Sequence, residues 1–232
     1  RRAWGIDVQN RCCTTVSAMK LAKDILLADY ECNTILVAGG YRNCDFIDFT
    51  DSGVSFMFNL GAGGGALILK KGYEKNQLLG THIMSDGSVV HTCGSKVGGI
   101  VEPVTAENVS EFGMLRLMDS PKMKGMLNST SMPNWYHCID EALRKSGMTR
   151  KDIGYLDILH IKRSGHKAML ADLGLTEDQT IYLEDYGHIG QVDQILSLKL
   201  ALEQGKVKDG TVISMIAAGI GYTWAANVIK WG

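Results

Sequence analysis

Three times along this chain a short apolar run of strand length gives way to a cysteine or histidine and then to a helix-forming pattern. Ala3 to Val8 runs into Gln-Asn-Arg-Cys12-Cys13, after which Val16, Met19, Ala22 and Leu26 recur as one apolar stripe. Tyr155 to Leu159 is followed by His160 and a helix around Lys167 to Leu173. Thr180 to Leu183 precedes His188, in Asp185-Tyr-Gly-His-Ile-Gly, and a helix from about Val192 to Glu203 that Gly205 ends. Strands alternating with helices predict an α/β layered fold with much parallel pairing. Reactive groups in such sheets gather beyond the carboxyl ends of the strands, so positions 12, 160 and 188 are predicted to converge on one sheet edge.

The remaining segments fit the same plan. Thr34 to Ala38 reads as a compact β-rich run closed by Gly39-Gly40, and Ala66 to Leu69 as a strand after the glycine-dense Gly61 to Gly65. Leu78 to Met84 reads as a further strand, Gly94 to Ser110 as an irregular excursion, and Trp135 to Lys145 as a helix stopped at Gly147. Thr211 to Ile229 is nearly long enough to span a bilayer. Ser214, Asn227, Gly219 and Gly221 and its β-branched ends instead predict two buried strands joined by a tight glycine turn. Thr34-Ile-Leu-Val-Ala-Gly-Gly and Thr211-Val-Ile-Ser-Met-Ile-Ala-Ala-Gly echo one another, as do the strands at Gly64 and Thr223, which agrees with a duplicated fold.

Bulk properties narrow the partners. A net charge of −1 gives no electrostatic reason to expect nucleic acid or an anionic membrane, so a small or carrier-bound substrate is expected. The six cysteines show no metal-binding spacing, and their scatter suits reduced thiols in a cytosolic protein. The chain opens Arg-Arg-Ala-Trp, with no signal-peptide pattern. No metal site is expected, because no short-spaced ligand pair is present and His160 and His166 do not share a helical face.

Cys12 stands where a strand hands over to a helix, where unpaired backbone N–H groups and the dipole favour thiolate and an oxyanion. The plain alternative is that Cys12 and Cys13 are small buried hydrophobes. A histidine taken alone is more often structural than catalytic. Three reactive side chains at three successive junctions carry more weight.

Gly5-Ile-Asp-Val-Gln-Asn-Arg-Cys-Cys13 resembles the Asp-x-x-x-x-Cys nucleophile motif of the 3-oxoacyl-acyl-carrier-protein synthase III family, and Phe58-Asn-Leu-Gly-Ala-Gly-Gly-Gly-Ala66 its Phe-Gly-Asp-Gly-Ala-Gly-Ala segment. Leu156-Asp-Ile-Leu-His160 resembles the strand before that family's catalytic histidine. Tyr186-Gly-His-Ile-Gly falls where the family has Tyr-Gly-Asn-Thr-Ser, and Ala218-Gly-Ile-Gly-Tyr-Thr-Trp224 is similar to its terminal Gly-Gly-Gly-Leu-Thr-Trp. The matches run in the family's order from Ala3 to Gly232.

The resemblance implies a thiolase-like α-β-α-β-α fold of two duplicated βαβαβαββ halves. The first, incomplete, occupies residues 1–75 with the nucleophile, and the second residues 76–232 with the histidines. It implies Cys12 as the acyl-accepting nucleophile, His160 and His188 as catalytic partners, and Gly219 and Gly221 beside the substrate oxygen. It implies CoA or phosphopantetheine thioesters as substrates with no cofactor, acyl-CoA or acyl carrier protein as partners, a homodimer, and fatty-acid or polyketide synthesis in the cytoplasm.

The departures bear on the reaction. His188 stands at the family's Asn position, and a neutral imidazole there can still donate one N–H to an enolate. Asp193 reads first as a helix-start carboxylate without catalytic role and second as a group that orients a histidine general base for a hydroxyl or amine acceptor. The family's His-Gln-Ala-Asn is here His160-Ile-Lys-Arg163, and Lys162 and Arg163 read as a solvated pair or as contacts for a carrier. Cys12 is chosen over Cys13 because it falls five residues after Asp7. The family has roughly a third of its chain before this point, enough for several βαβ elements, so a preceding segment or another chain is expected to cover the first sheet. The three readings are condensation with a malonyl thioester, acyl transfer to oxygen or nitrogen, and a non-catalytic partner subunit.

Overall fold

The computed structural model describes residues 3–232; Arg1 and Arg2, at the head of the first predicted half, lie outside the described residues. In chain order the principal elements are α1 (Thr14–Ala28), β1 (Thr34–Tyr41), β2 (Gly63–Lys70) and β3 (Gln77–Ser85). The short pair β4 (Cys93–Gly94) and β5 (Arg116–Leu117) follows, then α2 (Ser120–Met126), which passes through a π turn into α3 (Met132–Lys145). The chain continues with β6 (Tyr155–Ile158), α4 (Arg163–Leu173), α5 (Asp193–Glu203), β7 (Val212–Gly219) and β8 (Thr223–Lys230).

Two sheets sandwich a helical layer. β1 and β2 pair antiparallel from Thr34 opposite Lys70 to Tyr41 opposite Gly63. The larger sheet has the order β3-β8-β7-β6, with β6 and β7 parallel and the other neighbours antiparallel. β7 and β8 are buried on both faces, which is why their sequences are almost continuously apolar rather than alternating. α1 turns Val16, Met19, Ala22 and Leu26 inward, and Asn227 on β8 donates to the Val16 carbonyl at 3.0 Å. α5 touches both sheets. Its Ser197 meets the Tyr155 hydroxyl at 2.7 Å, and a Cβ on Gly65 of β2 would lie 3.1 Å from Ile195. α3 packs on the far face of the larger sheet through Trp135, Cys138, Ile139, Ala142 and Leu143, with Gly80 donating to Ser146 at 2.8 Å. α4 is tied to β6 by Thr180, whose hydroxyl donates to the Leu156 carbonyl and meets the His166 ring.

Two predicted strands are corrected. Ala3 to Val8 forms no ladder, and Trp4 and Ile6 stand 66% and 57% exposed; a strand needs a neighbour, and among the described residues none runs beside it. Thr180 to Leu183 makes a single bridge, Thr180 to Leu156, because β6 ends at Ile158 and the chain then turns away. The predicted Gly94 to Ser110 excursion is irregular apart from Gly94 at the end of β4, a bridge from Val97 to Phe112 and a turn that begins at Val109. The Thr211 to Ile229 segment is the β7–β8 pair, and no helix of the described residues is long and apolar enough to cross a membrane.

Candidate active site

The turn before α1 is built to present one of its two cysteines. Arg11 adopts φ 51°, a left-handed conformation unusual for a side-chain-bearing residue. The turn is pinned by Asn10, whose carbonyl accepts from the Cys13 N–H at 3.0 Å and whose own N–H donates to Thr14 at 2.9 Å. Cys13 points into the core, fully buried, and its thiol donates to the Thr223 carbonyl at 3.3 Å. Burial, with the neighbouring Cys12 and Cys138 sulfurs, pushes the Cys13 thiol well above its usual range. Cys12 is half-buried, and its Sγ lies 3.0 Å from His188 Nε2.

His188 Nδ1 in turn lies 2.6 Å from Asp193 Oδ2. Asp193, fully buried at the first residue of α5, is saturated with donors: Oδ2 also accepts the His160 main-chain N–H at 2.7 Å, and Oδ1 that of Ile189 at 2.6 Å. One carboxylate therefore ties two of the three predicted junctions together, and its charge sits at a helix N-terminus where it is favoured. The sequence reading put first a helix-start carboxylate without catalytic role; the fold places that carboxylate in contact with the His188 ring. Burial alone would lower the His188 imidazole, but the Cys12 sulfur and the Asp193 hydrogen bond outweigh it and lift the ring to about 10. Both neighbours favour the protonated form of the ring, the carboxylate at Nδ1 and the sulfur at Nε2.

The main chain of His188 is clamped as firmly as its ring. Its N–H donates to the Asn59 carbonyl at 2.8 Å and its carbonyl accepts from Gly61 at 2.9 Å. A Cβ on Gly61 would lie 2.6 Å from the Tyr186 carbonyl, and one on Gly187 2.3 Å from that of Asn59. The glycine-dense segment before β2 thus docks the first half of the chain onto the turn carrying His188. Spacing gave no sign of this, since the docking partners are remote in sequence.

His160 is placed differently from His188. Its main chain is fixed by Asp193, its ring lies 4.8 Å from that of Tyr182, and its Nδ1 is buried with no hydrogen-bond partner among the described residues. Burial keeps this imidazole below its usual range, hence neutral. Arg163 lies over the Tyr182 ring at 4.1 Å and pairs with Glu184. Gly219 abuts the nucleophile turn: a Cβ there would meet the Asn10 carbonyl at 2.9 Å and the Cys12 nitrogen at 3.3 Å. Gly221, at φ 147°, has open space around it. Among the described residues no group of His, Cys, Asp and Glu could hold a metal ion.

The arrangement can carry out thiol chemistry: a base on the sulfur, an acid to orient that base, and a second neutral histidine nearby. Comparison with known proteins points the same way. A family profile described as 3-oxoacyl-[acyl-carrier-protein (ACP)] synthase III matches residues 6–87, and the C-terminal profile of the same enzymes matches residues 143–231. The chain is 28% identical to the beta-ketoacyl-[acyl-carrier-protein] synthase III of Rhodospirillum centenum, over 99% of this chain and 68% of that relative. Among solved structures, the 3-oxoacyl-[acyl-carrier-protein] synthase III of Aquifex aeolicus superposes with a TM-score of 0.81 at 19% identity, covering 98% of this chain and 67% of that one. The corresponding protein of Thermus thermophilus gives 0.81 at 22%, covering 98% and 68%. The layered fold is the thiolase-like one expected from the sequence.

Proposed function

The chain belongs to the 3-oxoacyl-[acyl-carrier-protein] synthase III family, and from that premise we propose that Cys12 carries the acyl group in a ketoacyl-synthase-type condensation. The observation that supports this most is the Cys12–His188 contact of 3.0 Å, backed by Asp193.

In this reading His188 Nε2 takes the thiol proton. The Cys12 sulfur attacks the thioester carbonyl of an acyl-CoA or acyl carrier protein, and the departing CoA or pantetheine sulfur leaves with the proton. The tetrahedral oxyanion would lie by the Cys12 main chain and the Gly219–Gly221 turn. A malonyl thioester then loses carbon dioxide, and the electrons of the broken C–C bond become an enolate. Neutral His160, and His188 once it has taken up a proton from solvent after the first thiol leaves, are placed to donate to its oxygen. The enolate carbon attacks the acyl group, and Cys12 leaves as thiolate and regains its proton from His188. No cofactor is needed, since the thioester substrate carries the activation. Six free cysteines suit the reducing cytoplasm, and a second copy of the chain is the partner expected from the family.

One observation favours a second reading, acyl transfer to a hydroxyl or amine. Asp193 holds the proton of a neutral His188 on Nδ1, so Nε2 presents a lone pair to the acylated sulfur. That is a general base for an acceptor that must lose a proton. Both readings require an acyl-enzyme. Intact-mass spectrometry after incubation with acyl-CoA should show an acyl shift that maps to Cys12 and vanishes in Cys12→Ala. Carbon dioxide released from malonyl thioester in proportion to product then indicates condensation. Acyl transfer to alcohols or amines without it indicates the second reading. No adduct on the folded protein would move the assignment to a non-catalytic subunit.

A further inference from the structure

We propose that Tyr41, at the last position of β1, is a positioning residue that holds the His188 imidazole in the rotamer bridging Cys12 and Asp193. The inference rests on the Cys12–His188 reading above. The Tyr41 ring lies 6.1 Å from the His188 ring, centroid to centroid, tilted by 52°. It is seated in a slot made by a glycine: a Cβ on Gly190 would fall 2.2 Å from Tyr41 Cε2 and 2.3 Å from Cδ2, and Gly190 itself adopts φ 57°. The two segments are tied next to it by Gln191, whose side-chain amide donates to the Gly40 carbonyl at 2.8 Å. The end of β1 and the His188–Gln191 turn are thus locked together with the Tyr41 ring between them.

The physical need for such a wall is specific. Asp193 fixes only Nδ1, and a histidine held at one nitrogen can still swing its far edge. Catalysis depends on Nε2 staying within reach of the sulfur, because displacement by about 1 Å can cost up to roughly a hundredfold in rate. A rigid ring packed beside the imidazole restricts that motion without adding a competing hydrogen bond. Burial and the neighbouring Cys12 sulfur push the Tyr41 phenol upward, so the hydroxyl keeps its proton at neutral pH and takes no part as a base. The role belongs to the ring, and phenylalanine should perform it.

The test is the rate at which iodoacetamide alkylates Cys12, followed by peptide mapping, in wild type, Tyr41→Phe, Tyr41→Ala, Tyr41→Leu and His188→Ala, each checked for cooperative thermal unfolding. His188→Ala should slow alkylation strongly. Tyr41→Ala and Tyr41→Leu should slow it about tenfold at neutral pH, and Tyr41→Phe should restore the wild-type rate. Folded Tyr41→Ala or Tyr41→Leu protein at the wild-type rate, with His188→Ala slow, would overturn the Tyr41 role and leave the Cys12–His188 reading intact. So would Tyr41→Phe as slow as Tyr41→Ala, which would assign the effect to the hydroxyl. His188→Ala at the wild-type rate would remove the pair itself, and with it anything for Tyr41 to position.

Discussion

Replacing Asp193 by Asn is the sharpest perturbation of this site. The carboxylate accepts from His188 Nδ1 and the His160 N–H on one oxygen and from the Ile189 N–H on the other, all within 2.7 Å and in full burial. Asparagine has one acceptor oxygen and one donor nitrogen, so it cannot satisfy this set in either orientation. With its oxygen toward His188, the amide N–H₂ faces the Ile189 N–H, and two buried donors oppose each other. With the amide reversed, N–H₂ faces His160 and His188. The imidazole must then give up the Nδ1 proton and carry it on Nε2, against the sulfur. Each outcome leaves at least one buried donor unpaired, at a cost of about 1–3 kcal/mol in stability. Loss of a correctly oriented base should lower the rate of acyl-Cys12 formation by roughly 10²–10⁴-fold, which is about 2.7–5.4 kcal/mol in the barrier. The variant also loses one of the influences that lift His188, so the pH above which its imidazolium disappears should move down. Single-turnover acylation followed by quenched intact mass across pH, alongside thermal unfolding, reads all three. A folded Asp193→Asn protein acylated at the unaltered rate, with an unaltered pH profile, would refute the catalytic geometry drawn here.

Other outcomes follow from single contacts. Cys13→Ala should keep the acyl adduct on Cys12 and lose only the stability of a well-packed thiol, about 1 kcal/mol, as read by chemical denaturation; an adduct that disappears would reverse the choice of nucleophile. Gly219→Ala places a methyl 2.9 Å from the Asn10 carbonyl and should displace the nucleophile turn, lowering acylation about tenfold or more even where the protein still unfolds cooperatively. Asp157, fully buried on β6 with both carboxylate oxygens lacking hydrogen bonds among the described residues, is held well above its usual range, chiefly by burial. A carboxyl whose folded pKa is raised binds its proton more tightly when folded. Its contribution is therefore fully present below about 4, the ordinary Asp range, and is lost as pH rises toward the folded value. Asp157→Asn should remove that loss: its stability relative to wild type should increase from pH 4 upward, and urea titrations showing a constant difference across pH would contradict the burial argument.

Much of this protein could be read along the chain. Helical spacing located α1, and short apolar runs bounded by glycine or polar turns located β1, β2, β6 and the β7–β8 pair. The ordered motifs around Cys12, Phe58, His160, His188 and Gly219 identified the family, since close backbone approach and thiol chemistry each demand particular residue types. Tertiary structure decided what local pattern leaves open. Ala3 to Val8 is apolar enough for a strand, yet strand structure is a property of pairs, and among the described residues none runs beside it. Cys12 and Cys13 are the same residue type side by side, and only the turn at Arg11 determines which faces His188 and which faces the core. Asp193 looks like any acid opening a helix until the fold delivers His188, Ile189 and the His160 main chain to its two oxygens. Tyr41 gave no signal at all, being the end of a strand whose ring fits a slot left by a distant glycine. Side-chain type and period are written locally, so the sequence determined the elements and the candidate chemistry. Which donor meets which acceptor across 176 residues, as Cys12 meets His188, depends on how those elements pack, and only the folded chain settles it.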